Sequence, residues 1–368
     1  MQRRRGTWLV VAMVLFGLGA VLMLSGQGEE EAPPPPKVEF PRRMRFEERQ
    51  RMEARRTYVM PVVADTGVTV TEPPTPRDPV LAALPRGEGK TAMVIEANAI
   101  RHSPIGQLLL ECMMKRGGDD LRRFREETGI DPLEDVDRVV VTDDGLMVSG
   151  HFGNSRLKEL LSEREATDYA YGDEARIYEP PTTYMLPDGG VAQRRHPMAM
   201  GLWNDQMLVF GRTPDGVKEV IDRVEGRGPD EQPVIAEGST YGEMYGVVSV
   251  EQLKKMFPPE QRELAERLAE VAQNVELHMD TRSDFAMVAE VRGVDEAKVT
   301  DLGKSLGGAL SLARMKAQAE GETELAQLLD FAKVKPDGTE FKLELAVPLE
   351  VIQERLAWCR EEPDSASP

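Results

Sequence analysis

Four times in this chain an alternating apolar run doubles back and feeds straight into an amphipathic stretch with helical spacing. The four joins read MVSGHFGNSRLKELL (147–161), MLVFGRTPDGVKEVI (207–221), MVAEVRGVDEAKVTDL (287–302) and LELAVPLEVIQERL (343–356). Period-two alternation turns one face of a strand inward, and apolar residues at i, i+3 and i+4 give a helix one inward stripe. Hairpins that run directly into helices build an antiparallel sheet covered by those helices. The expected class is therefore α+β, with antiparallel sheets and helices packed on one face. Asp143-Asp144-Gly145, Asn204-Asp205 and Pro336-Asp337-Gly338 supply the turn chemistry such hairpins need.

A lead strand and a helical stretch precede each pair of joins. TAMVIEANA (91–99) opens the first set and YGEMYGVVSV (241–250) the second. Ser103 and Pro104 start a helix over 103–116, and a second helix ends at Gly129, the usual C-terminal stop. Asn154 and Thr213 stand as N-caps of the next two helices. Helices are expected again over 250–256, 258–273, 294–318 and 322–332. The body thus reads as two related halves, 86–228 and 238–362, a tandem structural repeat with a tail at 363–368.

The N-terminus carries an address. Trp8 to Leu24 is an unbroken apolar run without charge, close to the roughly 20 residues that cross a bilayer as a helix. Arg3, Arg4 and Arg5 precede it, and Glu29, Glu30 and Glu31 follow. The positive-inside rule then leaves a cytoplasmic stub at 1–7, a transmembrane signal anchor at 8–25 and everything later outside the cytoplasm. The alternative, a cleaved signal peptide, would rely on the poor site Gly26-Gln27-Gly28. No cysteine directly follows the run, which excludes a lipoprotein anchor. Residues 26–85 read as a stalk and linker: a polyproline spacer at 33–36, an Arg/Glu-rich stretch at 41–56 and a Pro-rich segment at 70–79. The expected location is the inner membrane, single-pass, with a periplasmic or other extracytoplasmic body and the bilayer as partner through residues 8–25.

The passage GIDPLEDVDRVVV (129–141) and the repeated joins resemble those of exported bacterial proteins of unknown function that carry a signal anchor followed by duplicated α+β units. The resemblance implies a similar location and fold, and it supplies no catalytic residue.

Charge narrows the partners. The formal net charge is −18, and residues 1–60 hold eleven Lys or Arg against seven Asp or Glu, which leaves −22 on residues 61–368. An acidic body with 5% aromatic residues offers neither the basic face nor the stacking platform that nucleic acid requires. Cys112 and Cys359 are the two cysteines, with no CxxC spacing, so a thiolate metal site is excluded. Each lies at an apolar helical position and is expected to pack as a small hydrophobe; pairing is the alternative if the body is exported.

The tempting motifs fail on spacing. GEGKT (87–91) has Leu84 where a phosphate-binding loop needs its first glycine, and it precedes a strand instead of opening a helix. LGKSLGG (302–308) lies within a helical pattern, where Gly307 and Gly308 are expected to allow close packing. No nucleotide or other cofactor is expected. His102, His151, His196 and His278 show no metal spacing, and a His151–Ser155 pair lacks a nucleophile elbow. The carboxylates of 129–152 do not follow a calcium loop and divide into a helix-to-strand passage, Asp131 to Asp137, and a turn, Asp143-Asp144. No catalytic, cofactor or metal residue is assigned.

Three functions fit these features. The first is a non-catalytic interaction or scaffolding protein of the cell envelope, with an envelope protein as partner. The second is a ligand-binding module using a cleft between the halves. The third is an envelope hydrolase whose site converges only in three dimensions.

Overall fold

The structure, a computed structural model, describes residues 78–357 except Thr182, 186–190, 194–197, Asp230 and 257–261. The expected anchor (8–25), most of the stalk and the tail (363–368) lie outside the described residues. Among those described, no helix is long and apolar enough to cross a membrane.

The first half contains α1 (Pro79–Ala83), β1 (Ala92–Ile95), α2 (Ala97–Arg101), α3 (Pro104–Thr128), β2 (Val136–Thr142), β3 (Gly145–Gly150) and α4 (Leu157–Glu163). It continues through β4 (Thr167–Tyr171), β5 (Ala175–Glu179), β6 (Thr183–Met185), β7 (Val191–Gln193), β8 (Ala199–Trp203), β9 (Met207–Gly211) and α5 (Pro214–Val224). The second half contains β10 (Met244–Ser249), α6 (Val250–Met256), α7 (Arg262–Val271), β11 (Asn274–Asp280), β12 (Phe285–Arg292) and α8 (Glu296–Ala319). It ends with α9 (Thr323–Asp330), β13 (Ala332–Asp337), β14 (Glu340–Val347) and α10 (Leu349–Arg355).

Among the described residues, twelve strands form one antiparallel sheet in the order β13-β14-β12-β11-β10-β1-β2-β3-β9-β8-β5-β4, and β6 and β7 pair separately. The chain is α+β, as its hairpin–helix joins require. Outward from the β1–β10 pair, one direction runs β10, β11, β12, β14, β13 and the other β1, β2, β3, β9, β8, β5, β4. The turn at Asn204 and Asp205 has positive φ at both residues, 49° and 48°, the backbone twist of a two-residue hairpin turn. In the last hairpin Asp337 pairs with Glu340, so the turn centres on Gly338 and Thr339, and Pro336 sits in edge strand β13, where a missing N–H costs no ladder bond.

Helices cover both faces of the first half, not one. On β9, Val209 packs with Val217 and Ile221 of α5, whereas its neighbour Leu208 packs with Leu157 and Leu161 of α4. Successive strand residues point to opposite faces, so α4 and α5 lie on opposite sides. Gly201 and Gly211 admit α5, because a Cβ on either would stand 2.7 or 2.9 Å from the methyls of Val217. In the second half all helices share a face. Val275, Val291 and Phe341 are in register and pack under Leu268, Val299 and Leu302, while Leu345 and Val347 pack under Leu328 and Phe331. The opposite face carries Glu276, Glu290, Lys342 and Lys335 in one register row.

Other expectations change in detail. α3 is a single 25-residue helix that runs through 117–118 instead of breaking there; Ser103 caps it and Gly129 ends it with φ 70°. Arg156, not Asn154, holds the N-cap position of α4, and it makes no side-chain capping bond. Asp78 to Leu84, assigned to the linker, is folded: Asp78 caps α1, and Val80, Ala83 and Leu84 are buried in the first-half core. Within α8 the close approach is made by Gly303, whose Cβ would meet Phe341 at 3.2 Å, while Gly308 faces open space. Cys112 is disulfide-bonded, contrary to the expected free packing; the chain's one other cysteine, Cys359, lies outside the described residues.

Candidate functional site

The sheet's centre is the seam where β1 pairs with β10, the meeting line of the two halves. At one end of that seam Glu96 leaves β1 one residue beyond the pairs Ile95↔Val139 and Ile95↔Met244. Arg138 of β2 and Glu243 before β10 therefore flank it. A cleft of about 520 Å³ opens here, lined by Glu96, Asp137 and Arg138 from the first half and by Glu243 and Arg282 from the second, with His102 and Ser103 at its edge.

The polar groups of this cleft are buried to an unusual degree. Asp78, Glu96, Arg138 and Glu243 are all buried, and such charges persist only when paired and hydrogen-bonded. Arg138 Nη1 donates to Asp78 Oδ2 at 2.6 Å, which locks the α1 cap onto β2. Burial works against the guanidinium charge, yet the adjacent Asp78 carboxylate holds Arg138 firmly protonated. Tyr245 donates its hydroxyl to Glu96 Oε1 at 2.9 Å.

Glu243 is held differently. Its Oε2 accepts from the Thr281 N–H at 2.8 Å, and its Oε1 lies 3.2 Å from Arg282 Nε. Arg282 is shared, since its Nη2 also reaches Asp280 Oδ2 at 2.7 Å. Burial, followed by repulsion from Asp280, pushes the Glu243 carboxyl up to about 7 from an ordinary 4.5. Thr281 continues the connection, donating its hydroxyl to Ser103 Oγ at 3.0 Å. Ser103 in turn donates to Ile100 O and accepts from Gly106 N, so its hydroxyl serves as a helix cap and its donor is committed.

At the other end of the seam Asp143 joins the halves again. Its Oδ2 accepts from Thr91 N at 2.7 Å and its Oδ1 from Gln252 Nε2 at 2.6 Å. The acidic stretch 129–152 thus separates as its spacing implies. Asp131 closes a turn onto Leu133 N, Asp143 ties the seam, and Asp137 faces the cleft. His151 lies 3.7 Å from Asp137, while Ser155 donates to Phe152 O, so the two do not form a base–nucleophile pair. The GEGKT segment is a turn with left-handed Gly87 and Gly89 ahead of β1. Among the described residues no group of three or more His, Cys, Asp or Glu is placed to hold a metal ion.

The charged face of the second half adjoins the cleft. His278 is buried, stacks on Tyr241 at 3.7 Å and bonds Glu276 Oε1 through Nε2 at 2.9 Å. Burial opposes ionisation of Glu276, but bonds from His278 and Ser239 and the nearby Arg292 outweigh it and hold the carboxyl at about 2. A carboxyl depressed in the fold stabilises above its unfolded value of 4.5, and that share is lost as pH falls through the folded value. Glu276→Gln is therefore expected to cost about 2 kcal/mol at neutral pH, and the cost should vanish toward pH 2 in acid-unfolding titrations of both proteins.

Sequence reasoning missed this site because its members lie far apart in the chain. The one local signal is that Glu96 and Glu243 each adjoin a lead strand at an inward-facing end.

No protein-family model matches the chain, and no curated protein matches it in sequence. A solved structure described as "Structure of crystal form I of TP0453" aligns over 76% of this chain and 96% of its own, at 10% identity and a TM-score of 0.34. At that similarity it informs neither the fold nor the function.

Proposed function

We propose that this is a membrane-tethered, extracytoplasmic binding protein that acts without catalysis and holds a small polar ligand in the seam cleft. The observation that carries this reading is the convergence of Glu96, Asp137 and Arg138 with Glu243 and Arg282 on one cleft between the halves. Clefts at such junctions are common ligand sites, and the mostly charged lining of this one suits a polar ligand. The lead strand and two hairpins are ordered alike on either side of the seam, which supports two related halves, with β4, β5 and α5 as departures from the repeat. Residues 8–25 form the bilayer anchor in this reading, and residues 26–77 the spacer. The disulfide at Cys112 fits an oxidising compartment outside the cytoplasm.

A thermal-shift screen of the full chain in detergent against charged and zwitterionic metabolites tests the cleft. A true ligand at about 100 times its Kd adds about 2.7 kcal/mol and raises Tm by several degrees. Asp137→Asn combined with Arg282→Ala should abolish the rise; a rise that survives both changes would place the ligand elsewhere. Carbonate extraction should leave the full chain in the membrane fraction, and release into the supernatant would overturn the anchor.

Exposed apolar side chains favour a second reading, an interaction or scaffolding role with an envelope protein. Leu312 and Met315 on α8 are 63% and 56% exposed, and Leu109 and Met114 on α3 are also exposed. Replacing all four by Ser should reduce capture of a crosslinked envelope partner while leaving ligand-induced thermal shifts intact. Undiminished capture would argue against these helices as the docking surface.

A further inference from the structure

A second cleft, of about 760 Å³, lies in the first half and shares no lining residue with the seam cleft. The end of α1, the β2–β3 turn and α5 enclose it, and Arg86, Lys90, Arg212 and Arg223 stand in its walls. Such a gathering of cations runs against the acidic balance of the body.

Arg223 is built into its place. Its Nε donates to Ala83 O at 2.9 Å, and its stem is clamped by Gly228, where a Cβ would come within 2.8 Å of the Arg223 Cγ. Arg86 is anchored to the same turn of α1, donating to Ala82 O at 3.4 Å, and to Glu231 O at 2.6 Å. Burial lowers the Arg223 guanidinium from its ordinary value; Glu219 opposes that, and the charge of Arg86 adds to it. Backbone carbonyls thus hold two guanidiniums close enough to repel. Half-buried Arg223 makes no ion pair among the described residues, and its one hydrogen bond is through Nε. Removing a cation from water without a counter-charge is costly. The Nη edge of Arg223 is therefore a positioned fork of donors that matches an oxyanion.

The acids of the cleft set the charge it accepts. Asp222 pairs with Arg227, and Asp215 with Lys218. Asp144 and Glu219 also line the cleft, and they repel a dianion twice as strongly as a monoanion. Pro85, Leu146 and Val220 add apolar wall. We propose that this cleft binds the carboxylate of a small, singly charged organic acid, with Arg223 as the fork and Arg86 as the supporting charge.

Calorimetric titration of the full chain in non-ionic detergent tests this, at constant ionic strength and in mildly alkaline buffer, where phosphate is mostly a dianion. The probes are butyrate and inorganic phosphate. Butyrate should bind saturably, and phosphate at least tenfold more weakly. Arg223→Gln should weaken butyrate about tenfold or more, as expected for a lost hydrogen bond to a charged group. Glu219→Gln should tighten butyrate about threefold, because it removes an exposed like charge roughly 6 Å from the fork. That gain separates binding from a merely structural role for Arg223, and it decides the matter if Arg223→Gln does not fold. Absence of saturable butyrate binding, or phosphate binding as tight as butyrate, overturns the proposal. So does wild-type affinity in a folded Arg223→Gln protein or in Glu219→Gln.

Discussion

Arg138→Met is expected to destabilise the body by about 3–5 kcal/mol, the range for removing one partner of a buried ion pair. Arg138 is buried on β2, bonded at 2.6 Å to an Asp78 that is itself buried. Its loss leaves the Asp78 and Glu96 carboxylates in a low-dielectric site without that counter-charge. Met fills comparable volume, so the deficit reports charge and not a cavity. For a body of this size the loss appears as a Tm lower by about 6–10 °C in calorimetry. Asp78→Asn combined with Arg138→Met should recover a substantial part of it, because the uncompensated carboxylate is then gone. A double variant no more stable than Arg138→Met would show that packing, not charge, governs this position.

Trp203→Ala is expected to cost a similar 3–5 kcal/mol, for a different reason. Trp203 ends β8 at 1% exposure, inside the cluster that includes Val217, Ile221 and Val224 of α5. Its indole Nε1 donates at 3.2 Å to Glu225 Oε1. The Glu225 carboxylate also accepts from the backbone N–H of Asp173 and Glu174 and pairs with Arg227. Trp203→Ala thus opens a large void beneath α5 and removes one of four supports of a buried charge. Trp203→Phe keeps most of the ring and loses only the donor, so a cost near 1 kcal/mol is expected in denaturant unfolding. If Phe and Ala variants unfold at the same midpoint, the hydrogen bond and not the packing dominates.

Local rules wrote the hairpins and most caps: Ser103, Thr213 and Gly129 perform the roles their identities imply. Local rules failed where the deciding contact came from elsewhere. The Gly117-Gly118 pair looks like a helix break, yet α3 continues through it, because an isolated glycine pair costs a helix only about 1 kcal/mol per residue. Asp78 to Leu84 reads as linker because it continues the Pro-rich stretch 70–79, but Val80, Ala83 and Leu84 find the core that α5 and β1 complete. The same holds for α5. Its amphipathic stripe matches those of the other helices, and only Gly201, Gly211 and the apolar register of β9 send it to the opposite face.

The candidate site lay almost entirely beyond sequence reading. Glu96, Arg138, Glu243 and Arg282 span nearly 190 positions and share no motif, so no spacing rule could collect them. Alternation and turn chemistry are properties of neighbours, and by themselves they determined an α+β body of antiparallel hairpins feeding capped helices. Which strands became neighbours was decided only when β1 paired with β10. That pairing joined the hairpins into one sheet and brought carboxylates from distant parts of the chain into one cleft. The physical reason is that strand pairing and charge burial are long-range: their energy depends on what the fold places alongside, which no short stretch of residues encodes.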